Sequence, residues 1–180
     1  EGSCGRAAYH QQVKIDSEDP ETIPGEILTK GPNVLLGYYK NPEATEASID
    51  KDGWFHTGDL GLMDSDGNVF IKGRSKNLLL GSNGQNIYPE EIEDKLNSLP
   101  LVNECLVIQE GNKLVALVHP DFDEAKSIGL NHSDVEKIME QDLQQLNGLI
   151  PSYSRVSEIR IQEEEFAKTP KRSIKRYLYA

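Results

Sequence analysis

The sequence predicts an α+β fold in two bodies, a β-rich one over residues 1–74 and an α+β one over residues 75–180. Three observations carry this. Residues 1–73 hold short apolar runs broken by turn residues, with no long helical period. From residue 76 onward, stretches with apolar residues at helical spacing alternate with hairpin-like runs. The join, "GRSKN" (73–77), is short and charged and lacks the Gly/Ser softness of a floppy tether, so it reads as a defined pivot.

In the first body, "GEILTKGP" (25–32) is a short strand between turn residues. "NPEAT" (41–45) opens a helix, with Pro42 in the first turn and Glu43 behind it. "GWFHTGDLG" (53–61) places a tight polar turn, Thr57-Gly58-Asp59, directly after two aromatics. "DSDGNVFIKG" (64–73) turns at Asp66-Gly67 and continues as a strand over 68–72.

In the second body, "NLLLGSNGQNIY" (77–88) has two apolar runs around Gly81 and Gly84 and reads as a hairpin. "YPEEIEDKLNSLP" (88–100) is a helix: Pro89 and acids in the first turn, Ile92, Leu96 and Leu99 on one face, and a stop before Pro100. "VNECLVIQEGNKLVALVHP" (102–120) is a second hairpin turning at 110–112. "HSDVEKIMEQDLQQLNGLI" (132–150) is an amphipathic helix opened by a capping box of Ser133 with Glu136. Its apolar stripe is Val135, Ile138, Met139, Leu143, Leu146 and Leu149. "VSEIRIQ" (156–162) alternates as a strand, and a short helix closes the tail.

Composition narrows the function. Thirty acids against 19 Lys and Arg give a net charge of −11, which argues against a nucleic-acid binder. No apolar run approaches the length that crosses a bilayer. The opening Glu1-Gly2-Ser3 has neither a basic nor an apolar stretch, and without an initiator Met it reads as cut from a longer chain. Cys4 and Cys105 match no disulfide framework or metal spacing, which points to a reducing, cytoplasmic setting and to no metal ligands. Against the acidic whole, "KTPKRSIKRYLY" (168–179) holds five cations and no acid.

Two residues stand out as binding groups. A carboxylate such as Asp59 at a glycine turn accepts two hydrogen bonds from one diol, as ribose offers, or it stabilises its own turn. Arg74 is an always-charged fork suited to phosphate or ribose oxygens, or a surface Arg beside an exposed hairpin. Gly81 and Gly84 let backbone approach a ligand closely. His56 reads as packed with Trp54 and Phe55 or as a passive lining residue. The Glu163–Glu165 run reads as a solvated loop weakly paired to the cationic tail.

The segments "GEILTKGPNVLLGYYKNPEAT", "GWFHTGDLG", "GRSKNLLLGSNGQNIYPEEIE" and "KTPKRSIKRYL", in this order and spacing, resemble the acyl-adenylate-forming enzymes over essentially the whole chain. The wording of "GSNGQNIYPEEIE" and "IKRYLY" is most similar to bacterial long-chain fatty acid–CoA ligases. The resemblance implies the C-terminal third of such a synthetase: a β-rich subdomain of its N-terminal body, then its small mobile α+β C-terminal domain. The phosphate loop lies upstream, so the fragment alone is expected to be inactive. ATP, Mg²⁺ and CoA are the implied cofactors of the full enzyme. Its substrates are a fatty acid and CoA, and peripheral membrane contact through the upstream body is left open.

By the same resemblance, Asp59 holds both ribose hydroxyls and Arg74 contacts ribose or phosphate. Lys76 is the hinge, and the loop at Gly84 lines the CoA tunnel. The family's tail runs Lys-Thr-x-x-Gly-Lys-Ile-x-Arg, and its catalytic lysine falls here on Ser173. Lys171 and Arg172 are the substitutes expected to supply that charge for adenylation. The alternatives are an adenylate-forming enzyme for an aryl or amino acid, and a non-catalytic interaction module.

Overall fold

The computed structural model describes residues 2–180, which divide into two compact units at Asn77/Leu78. The first unit is an antiparallel meander. Strands β1 (Gln12–Asp16), β2 (Gly25–Lys30), β3 (Phe55–Met63) and β4 (Val69–Arg74) pair in sequence order. Helix α1 (Pro42–Ser48) sits between β2 and β3 in the chain, capped by the Asn41 side chain, which accepts the Ala44 N–H. Its core is small: Ile15, Ile27 and Val69, with Val13 and Met63 packed against them. β1 escaped the sequence reading because "QVKID" is short and mostly polar.

The second unit begins with the predicted hairpin, β5 (Leu79–Leu80) and β6 (Asn86–Ile87), and helix α2 (Pro89–Asn97). Strands β7 (Val102–Glu110) and β8 (Lys113–Pro120) form the second hairpin. Helices α3 (Phe122–Ser127) and α4 (His132–Leu149) lead to β9 (Val156–Ile161), which pairs parallel to β8. A parallel return needs a long crossover, and the two helices supply it.

The α4 cap differs from expectation. Asn131, not Ser133, is the N-cap: its side chain accepts the Asp134 N–H, and the Asp134 carboxylate accepts the Asn131 N–H. Both pairs have the right spacing; Asn131 wins because it sits one residue before the first helical turn, where the orphan N–H groups are.

The β7–β8–β9 sheet buries both faces, which explains why "CLVI" and "LVALV" run apolar without alternation. Cys105, Val107, Leu114, Ala116 and Val118 face the main core with Leu96, Val135, Met139 and Leu146 from α2 and α4. Leu106, Ile108, Val115 and Leu117 face the other way, against Phe166, Ile174 and Tyr179 of the C-terminal tail. The tail therefore covers one face of the sheet. It closes in a single 3-10 turn, Arg176–Leu178.

Candidate functional site

Thr57-Gly58-Asp59 is not a turn between strands but a wide bulge inside β3. Glu26 pairs with Leu60 and Leu28 pairs with His56, so three residues of β3 stand opposite Ile27 alone. Such a bulge breaks the ladder and strands backbone groups that need other partners. Side chains supply them. The Gly58 N–H donates to Glu26 Oε1 at 2.9 Å. The Thr57 hydroxyl donates to the Ile27 carbonyl at 2.7 Å and accepts the Asp59 N–H at 3.1 Å. Arg74 Nη1 donates to the Thr57 carbonyl at 3.1 Å. Gly58 has φ +71°, a left-handed conformation that costs a side chain-bearing residue about 1–2 kcal/mol.

The bulge presents Asp59 beside Arg74, its register partner on β4. Arg74 Nε donates to Asp59 Oδ1 at 3.0 Å, and the two side chains are 33% and 51% exposed, so solvent and small polar molecules reach the carboxylate. The structure thus brings these two predicted binding residues together. His56 does not merely pack with Trp54 and Phe55: its Nδ1 lies 2.9 Å from Glu26 Oε2, and its Nε2 is 3.8 Å from Asp50 Oδ2. Glu26 was missed because it lies thirty residues from His56 in sequence, and nothing local marks it.

Lys76 is exposed within a single 3-10 turn, Ser75–Asn77, that ends the first unit. Gly84 sits at the tip of the β5–β6 hairpin with φ +78°, its N–H donating to the Gly81 carbonyl at 2.9 Å. A Cβ at this position would meet nothing within 4 Å, so the loop tip is open within its own unit.

The cations of the basic tail do not share one environment. Two of them, Arg176 and Lys168, are paired within the second unit. Arg176 Nη1 donates to the Val107 carbonyl at 2.9 Å, and Nη2 pairs with Glu93 Oε2 at 2.8 Å. Lys168 pairs with Glu104 and Glu165. Lys168 and Ile174 pair across a small loop, within which the Thr169 N–H donates to the Ser173 carbonyl and the Arg172 N–H to that of Thr169. Lys171, Arg172 and Ser173 are exposed at its tip. Arg172 has φ +62°, a glycine-like conformation, at the position where the resembling family's pattern carries glycine. Lys171 and Arg172 make no side-chain ion pair among the described residues. Within the Glu163–Glu165 run, Glu163 contacts His132 and Glu165 contacts Lys168.

Among the described residues, no group of three or more His, Cys, Asp or Glu gathers as a metal site, and no helix is long and apolar enough to cross a membrane. Burial raises the Cys105 thiol's pKa well above its ordinary value, which makes it a poor nucleophile.

The AMP-binding enzyme C-terminal domain matches residues 76–179. The chain belongs to that family. The indoleacetate–CoA ligase of Aromatoleum aromaticum is 36% identical over 172 residues, 91% of this chain and 31% of that protein. The 2-succinylbenzoate–CoA ligase of Bacillus cytotoxicus is 42% identical over 115 residues, 62% of this chain and 24% of its own length. Among solved structures, the O-succinylbenzoate coenzyme A synthetase of Bacillus subtilis in complex with ATP and magnesium ion superposes with TM-score 0.75. It is 26% identical, over 98% of this chain and 35% of that one. The chain spans about a third or less of the length of the curated relatives it matches.

Proposed function

We propose that the chain is the C-terminal portion of an AMP-forming CoA ligase, organised as a subdomain of the nucleotide-binding body (residues 1–74) and a mobile domain (75–180). The observation that carries this reading is the 36% identity to a CoA ligase across 91% of the chain, including the Asp59–Arg74 bulge as well as the family domain. Such a ligase joins a carboxylate to AMP from ATP and then passes the acyl group to the CoA thiol.

In this reading Asp59, one-third exposed, takes the two ribose hydroxyls as donors, and Arg74 holds the carboxylate in place and faces ribose or phosphate oxygens. Lys171 and Arg172, unpaired at the tip of the tail loop, supply the positive charge that adenylation needs where Ser173 cannot. Lys76 is the pivot that brings the tail loop in for one half-reaction and the Gly84 loop, lining the CoA site, for the other. Mg²⁺ would be held by the phosphates of ATP rather than by a protein cage and would offset their charge.

For the acid, the relatives favour an aryl substrate over a long-chain fatty acid: indoleacetate and succinylbenzoate both carry a ring. The decisive measurement is acid-dependent ATP–pyrophosphate exchange by the intact enzyme with indoleacetate, 2-succinylbenzoate and palmitate. Higher kcat/KM with an aryl acid is expected, and a preference for palmitate overturns that choice. The chain alone should give no exchange above background. Lys171→Ala and Arg172→Ala in the intact enzyme should each slow pyrophosphate release; if the Lys171/Arg172/Lys175 triple alanine variant does not, the charge assignment is wrong.

A further inference from the structure

Resting on the ligase reading above, we propose that Glu26 is a positioning residue for the nucleotide, holding the 57–59 bulge in the one shape that presents Asp59. The bulge removes Gly58 from the β2–β3 ladder, and its N–H would be an unmet donor beside the sheet. Glu26 is the side chain that meets it. Its Oε1 accepts the Gly58 N–H at 2.9 Å, and its Oε2 lies 2.9 Å from His56 Nδ1. One carboxylate thereby grips the bulge at its middle and at the residue that precedes it.

The grip extends further. His56 Nε2 lies 3.8 Å from Asp50 Oδ2, and Asp50 Oδ1 accepts the N–H groups of Asp52 and Trp54 at 2.9 Å each. The loop before β3 and the bulge within it are thus tied through Glu26 and His56. The flanking contacts cannot replace this. Thr57 and Arg74 fix the ends of the bulge, but Gly58 is its most permissive link, and among the described residues its N–H donates to Glu26 alone. Glu26 is itself three-quarters buried, so the contact is poorly exchanged for water.

A bulge that relaxes would move Asp59, which is covalently next to Gly58. Asp59 grips a part of the nucleotide that does not react, and so contributes equally to ground and transition states. Loss of its alignment therefore reads out in KM for ATP and not in kcat. A residue that merely stabilises the fold would lower the active fraction, and hence kcat, with KM unchanged.

The test uses the intact enzyme in acid-dependent ATP–pyrophosphate exchange. Glu26→Ala should raise KM for ATP by about tenfold with kcat within about twofold. Glu26→Gln keeps an oxygen for the Gly58 N–H and should stay within about threefold of wild type. Glu26→Asp is one methylene too short to span both contacts and should shift KM in the same direction as Ala; it decides the matter if Glu26→Ala does not fold. Unchanged KM in both Ala and Asp variants overturns the proposal, as does a Gln variant as impaired as Ala. If Asp59→Asn raises KM while the Glu26 variants do not, the ligase reading stands and Glu26 alone is misassigned. A wild-type enzyme with no acid-dependent exchange fails the ligase reading itself, and the role of Glu26 falls with it.

Discussion

Each unit of this chain contains an arginine–carboxylate pair, and the two are built to opposite ends. Asp59–Arg74 stands on a bulge with side chains 33% and 51% exposed. Glu93–Arg176 lies under the tail with side chains 12% and 21% exposed, and Arg176 also binds the Val107 carbonyl. Exposed pairs contribute little to stability, because water and salt compete with them. A buried pair is costly to break, because removing one partner strands the other's charge. The same two functional groups thus make a replaceable contact in one unit and a structural clasp in the other. Burial, not residue type, separates a group free to meet a ligand from one that fastens the chain.

The largest expected effect tests the clasp. Arg176→Ala leaves Glu93, whose pKa burial already raises, without its cation, and should destabilise the second unit by about 3–5 kcal/mol in urea unfolding. The Glu93→Leu/Arg176→Met double variant should recover most of that loss, since a well-packed apolar pair replaces the buried ions. A single variant that costs under about 1 kcal/mol would erase the distinction between the two pairs.

A buried carboxyl with no cation beside it among the described residues sharpens the comparison further. Asp142 of α4 is 5% exposed, its Oδ2 has no hydrogen-bond partner among the described residues, and burial raises its pKa. Its folded-state pKa therefore lies above the unfolded value, so in the window between them the native state holds more protons than the unfolded one. Its contribution to stability should grow as pH falls through the folded pKa and level off below about 3.9, the unfolded carboxyl value. Asp142→Asn should raise stability at pH 7 by about 1 kcal/mol and remove this pH dependence. Urea unfolding at several pH values measures both, and a variant less stable than wild type at pH 7 contradicts the account.

The smallest effect belongs to the exposed pair. Arg74→Ala should change the stability of the first unit by no more than about 1 kcal/mol, most of it from the lost bond to the Thr57 carbonyl. The same substitution in the intact enzyme should weaken ATP use severalfold. A large loss of stability with unchanged KM for ATP would make Asp59–Arg74 a second clasp.

Much of the second unit was legible from residues alone. The apolar stripe of α4, Pro89 and the acids opening α2, and the long β7–β8 runs each state their element locally. What was hidden depends on pairing at long range. Thr57-Gly58-Asp59 has turn-forming residues, and only the register against Ile27 makes it a bulge. Glu26 and His56 meet across two strands, and Glu93 and Arg176 are 83 residues apart. Phe166, Ile174 and Tyr179 follow no helical or strand period, so nothing in their spacing announces that they cover a sheet. Asp59 and Arg74 stood out in the sequence as candidate binding residues; their 3.0 Å pairing did not.

Because residues 166–179 supply Phe166, Ile174 and Tyr179 to one side of β7 and β8, that stretch also shields the sheet against aggregation. A message truncated after Gln162 would yield a protein that keeps α1–α4 but whose Leu106, Ile108, Val115 and Leu117 lie bare, a flat sticky surface of the sort quality-control proteases recognise.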